Sequence, residues 1–131
     1  MAGNPRRADG NRRNKLRRWL ASQGRACWIC THPIDYGLPP NHPLSFECDE
    51  LVPVSVGGSP FDRGNVDAAH RCCNNWRSTR TPDTVAMIRQ AVWEAYGDPG
   101  GPLEFVECAK SLASPALRRS AAQRIETSTD W

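Results

Sequence analysis

The sequence predicts a small α+β unit stapled by a metal ion, on three observations. Cys27 and Cys30 form a C-x-x-C pair, and His70 and Cys73 form an H-x-x-C pair downstream. A stretch with strand-like alternation at 44–48 and a second short extended stretch at 65–69 lie between these pairs, with a Gly57-Gly58 turn between them. Helical spacing of apolar residues recurs on both flanks, at Leu16, Trp19 and Leu20 and again at Val85, Ile88, Val92 and Tyr96. Two i, i+3 ligand turns brought together make a tetrahedral Cys3His zinc site, and the long loop between them is then held against the metal scaffold.

Taken in order, residues 1–13 combine Gly, Pro, Asn and charge with no apolar period and read as a basic flexible arm. A helix is expected from about Asn14 to a stop at Gly24, with one packing face and one cationic face carrying Arg12, Arg13, Lys15, Arg17 and Arg18. The first knuckle, Cys27 to Cys30, leads into a loop dense in Pro, in which His32 and His42 read as solvated. A strand then runs into Asp49-Glu50, and Leu51 to Val54 is expected to continue it. A second strand follows at 65–69, and a helix begins near His70 and carries Asn74, Trp76 and Arg77. Thr81-Pro82-Asp83 reads as an N-cap with proline at the first helical position, opening a helix that ends before Gly97. Residues 98–131 read as an extension with short helices at 103–112 and 115–125 and a tail, TSTDW, ending in Trp131. The domain proper is therefore expected at 14–97.

With 131 residues the chain has room for one small domain plus extensions, the size at which a metal commonly supplements a limited core. Its net charge of +3 is unevenly spread. Residues 1–25 carry eight basic residues against one acid, residues 26–70 carry one against six, and residues 71–80 carry three arginines. Basic flanks around an acidic centre suit a nuclease, in which the flanks neutralise phosphates and the acids hold a cation. The bland alternative is a solvated basic face. Six cysteines without an apolar leader or membrane span predict a cytoplasmic setting, with no membrane association, where C-x-x-C binds metal. Cys48 and Cys108 read as small core residues, and Cys72 as a spare thiol able to compete with His70 for zinc.

The ordered run Asp49-Glu50-Leu51-Val52-Pro53-Val54-Ser55-Val56-Gly57-Gly58, then Asn65, then His70-x-x-Cys73-Asn74, resembles the HNH endonucleases, in the zinc-stapled branch that includes phage nucleases and endonuclease VII. The match spans roughly residues 25–80. It departs from the usual pattern at Glu50, which stands where the family has its first His, and at His70, which replaces a zinc cysteine.

The resemblance implies a ββα-metal fold with N- and C-terminal helices and a metal-dependent endonuclease that hydrolyses DNA phosphodiester bonds. Asp49 and Asn74 would hold a catalytic divalent cation, Mg2+ or Mn2+, beside the structural Zn2+. Glu50 would act as the base in place of His, and Asn65 would tie the loop. A bulge at the acidic pair would instead make Glu50 a ligand. Arg17, Arg18, Arg71, Arg77 and Arg80 would meet phosphates. DNA is the implied partner, with a phage terminase or other DNA-processing proteins as associates. The competing readings are a zinc-stapled DNA-binding module without catalysis, for which Glu50 is the argument, and a subunit of a phage packaging machine.

Overall fold

Helix, two-stranded hairpin and three further helices follow one another along the chain: α1 (Pro5–Ser22), β1 (Phe46–Glu50), β2 (Val66–His70), α2 (Arg71–Arg77), α3 (Pro82–Tyr96) and α4 (Pro102–Leu112). The computed structural model describes residues 5–112, with side chains from Gly10 onward. The expectations for 115–125 and for Trp131 fall outside the described residues. Among the described residues, no helix is long and apolar enough to cross a membrane.

β1 and β2 pair antiparallel, in an unbroken register from Phe46 opposite His70 to Glu50 opposite Val66. Side chains alternate across the sheet, so Phe46, Cys48 and Glu50 share one face with Val66 and Ala68, and Glu47 and Asp49 share the other. α1 covers the first face: Leu16 and Leu20 pack on Phe46, Val66 and Ala68 in one core cluster. A second cluster lies across Cys27, Cys30, Cys73 and the C-terminal helices, where Ile29, Ala69, Trp76, Val85, Val92, Phe105 and Val106 are buried together. The hairpin thus sits between two small cores.

Helix boundaries follow local chemistry at two ends. The Thr81 hydroxyl accepts from the Thr84 amide at 3.2 Å, and Pro82 opens α3. Gly24 adopts a left-handed φ of 61° just past α1. Two expectations are corrected. α1 begins at Pro5 rather than near Asn14, so most of the expected arm is helical. Proline needs no amide donor in a first turn, and the following residues are mostly tolerant of helix. The chain after Glu50 also does not continue as a strand. Val54–Val56 forms a short 3-10 turn, and Val52, Val54 and Val56 are exposed. Pro53 lacks the amide that a strand ladder would use.

Candidate metal centre and nucleic-acid interface

Cys27, Cys30, His70 and Cys73 are all buried, and their donor atoms lie within 4.8 Å of one another. His70 Nδ1 is 3.4 Å from Cys30 Sγ and 3.9 Å from Cys73 Sγ. Zinc bonds of about 2.1–2.3 Å in a tetrahedron imply ligand-to-ligand edges of roughly 3.4–3.8 Å, so the cluster is close to the size zinc requires. Local structure makes both turns. The amides of Cys27 and Thr31 bond to the His32 and Cys27 carbonyls, folding the knuckle, and Trp28 N donates to Ala68 O at 2.9 Å, fastening it to β2. His70 ends β2 and Cys73 lies one helical turn on in α2.

The other imidazole nitrogen of His70, Nε2, meets the Pro33 carbonyl at 3.0 Å. A carbonyl only accepts, so Nε2 carries a proton and Nδ1 faces the cysteine sulfurs, where a metal would take the place of any proton on Nδ1. This is the orientation a metal-bound histidine needs. Burial opposes charge on the imidazole, yet the neighbouring Cys27 and Cys30 sulfurs push His70 up to about 10. Burial also opposes a thiolate at Cys27, but hydrogen bonds from Cys30, Cys73 and His70 outweigh it and lower that thiol. Such crowding of ionisable donors in an apolar core suits a cation at their centre. The donor set fits zinc. Cys72 stands outside this cluster, half-buried.

The acidic pair is divided by the strand. With the register unbroken there is no bulge: Glu50 lies on the α1 face and Asp49 on the α2 face, so Glu50 and Asp49 do not converge on one ion. Asp49 is 6% exposed and already engaged. Arg77 Nη1 donates to both of its carboxylate oxygens at 2.9 Å, and Trp28 Nε1 donates to Oδ2 at 2.9 Å. Arg77 also donates to the carbonyls of Glu50, Leu51 and Arg80, joining the end of β1 to the end of α2. Burial raises the Asp49 carboxyl above its ordinary range, and Arg77 and Trp28 pull it back only in part.

Arg77, expected at a phosphate, is thereby corrected: its side chain is 2% exposed and serves the interior. Arg80 is also partly withdrawn, stacked over Trp76 at 4.7 Å. Asn74 shares the face of Asp49, but its amide donates to Glu47 Oε1 at 2.9 Å. The Asp49 carboxylate is thus taken up by Arg77 and Trp28, and the Asn74 amide nitrogen by Glu47. Asn65 ties the loop as a staple: Oδ1 accepts from Val52 N, and Nδ2 donates to the carbonyls of Val52 and Ser59, each at 2.9 Å.

Arg17, Arg71 and Asn74 come together with Glu47, Phe46 and Pro40 around an open groove of about 410 Å3. Arg71 leans on Glu47 at 3.9 Å and remains 39% exposed. Arg18 is exposed on α1. The sequence pattern does not single out Glu47, Trp28 or Arg89. Arg89 donates from α3 to the carbonyls of Trp28 and Ile29 at 3.0 and 3.1 Å, bracing the knuckle. Alternation with Asp49 is the one available signal for Glu47, and nothing local marks Arg89.

No protein-family model, curated protein or solved structure matches the chain.

Proposed function

We propose that the chain is a zinc-stapled DNA endonuclease of the HNH type, which hydrolyses phosphodiester bonds. The observation that carries this reading is the placing of a motif in order on a hairpin and helix: Asp49 on β1, the Asn65 staple at the start of β2, and Asn74 one residue after the last zinc-cluster cysteine, beside a cationic groove. Arg17 and Arg71 would meet the backbone there, where an exposed guanidinium can donate two parallel bonds to a phosphate. Glu50, if it takes the proton of the attacking water, does so from the strand face opposite Asp49. A divalent ion, Mg2+ or Mn2+, would supply charge stabilisation to the leaving oxygen. Its dependence rests on the motif order, because Asp49 and Asn74 are each engaged elsewhere. DNA-processing assemblies such as phage packaging machines are the setting that the resemblance suggests.

One observation favours a second reading, a zinc-stapled DNA-binding module without cleavage: the Arg77 guanidinium holds both oxygens of the carboxylate that would have to receive the cation. Plasmid nicking with Mg2+, Mn2+ or EDTA separates the two. The nuclease reading expects nicking with a divalent ion, loss with EDTA, and loss in Glu50→Gln with metal affinity kept. DNA binding with no nicking under any ion transfers the conclusion to the binding module.

A further inference from the structure

We infer that Arg12, Lys15 and Arg63 form a second phosphate-binding site, which takes a backbone phosphate of duplex DNA on a flank of α1 distinct from the Arg17–Arg71 groove. The three cations surround a shallow hollow of about 230 Å3 that Phe61 and Leu16 also line. Two come from α1 and one from the turn before β2, so the fold, not sequence proximity, assembles them. Among the described residues, none of the three forms an ion pair with a carboxylate. The neighbouring acid, Asp62, turns its Oδ1 to the Gly64 amide at 2.8 Å.

The arginines are also held in place. Arg12 lies over the Phe61 ring at 3.8 Å from its centroid, and Arg63 lies over the Trp19 ring at 4.3 Å. Stacking uses the face of a guanidinium and leaves its in-plane N–H groups free, so the side chain is ordered before a ligand arrives. Arg12 and Arg17 stand roughly 140° apart around α1 and about 7.5 Å apart along it. The helix therefore presents cations on two flanks, and a duplex backbone seated across it reaches both.

This site rests on the DNA-binding part of the proposed function and is independent of cleavage. The test is a salt titration of a short fluorescent duplex by anisotropy, using the wild type, Arg12→Gln/Lys15→Gln/Arg63→Gln, and Arg12→Lys/Arg63→Lys. The neutralised variant is expected to bind more weakly and to flatten the slope of log K against log salt by about 0.9 for each phosphate left without a cation. The lysine variant keeps the slope and binds several-fold more weakly, because charge survives and stacking does not. Zinc content and Tm report folding. If the triple variant does not fold, Arg12→Gln alone, at an exposed position, is expected to flatten the slope. Wild-type binding with an unchanged slope in the neutralised variants overturns this site and leaves the DNA reading intact. A wild type that binds no duplex overturns both.

Discussion

Removing the Arg77 side chain would leave Asp49 buried, with the Trp28 indole as its remaining side-chain partner. Arg77→Met is expected to destabilise the fold by about 3–5 kcal/mol, the usual cost of orphaning a buried charge, as read by urea unfolding. It should leave DNA affinity in the folded fraction unchanged, unlike Arg71→Gln in the open groove. The sign of the pH effect follows from the Asp49 carboxyl being held above its ordinary range by burial, against the pull of Arg77. A raised carboxyl contributes stability below the unfolded value of about 3.9 and loses it as pH rises through the folded value. Arg77→Met removes one of the lowering influences, so its stability should fall more steeply than the wild type's on going from pH 4 toward neutrality. Parallel unfolding curves across that window would show that Arg77 does not govern the carboxyl.

Among the elements, the loop between β1 and β2 depends on one close approach. A Cβ added at Gly58 would fall 1.7 Å from the Val52 carbonyl oxygen, and the Asn65 amide that staples the same carbonyl is 3.0 Å away. Backbone cannot yield as a flexible side chain would, so Gly58→Ala is expected to displace the loop. Amide exchange should accelerate at Val52, which bonds to Asn65, while zinc stays bound. α1 is held chiefly by apolar contact. Leu20 is fully buried against the α1 face of the sheet, and Leu20→Ala should cost about 2–5 kcal/mol. Because Arg12, Lys15 and Arg17 ride on the same helix, this variant should also weaken DNA binding without touching a cation. Thermal unfolding and anisotropy would check the two effects together.

For the whole molecule, the Cys3His cluster joins segments that only tertiary structure brings together, with Cys27 and Cys30 ahead of the hairpin and His70 and Cys73 at its end. Loss of the ion should therefore unfold the hairpin and the C-terminal core as one event. Chelation or Cys30→Ser is expected to lower Tm by tens of degrees or abolish the transition, with one zinc per chain found by metal analysis before treatment. Affinity for zinc should rise with pH, since thiolates and a neutral imidazole are the binding forms. Protein purified without chelators but free of zinc, with an unchanged melting curve, would remove the metal from the account.

Features set by local chemistry or short spacing were legible from the residues alone. The two i, i+3 pairs marked the Cys3His cluster, Thr81-Pro82 marked the start of α3, Gly24 the end of α1, and alternation marked the first strand to within two residues. These are decided within a turn or a pleat, so neighbouring residues suffice to read them. The partners of long side chains were decided only by the tertiary structure. Arg77 reads in sequence like Arg71, yet one is buried against Asp49 and the other lines an open groove. Asp49 and Glu50 are adjacent in sequence and separated in space, because a regular strand sends consecutive side chains to opposite faces. Arg63 joins Arg12 and Lys15 only because α1 lies across the hairpin. A charged side chain reaches several ångströms from its backbone, and which opposite or like charge it meets depends on how elements pack, information that no local window of residues contains.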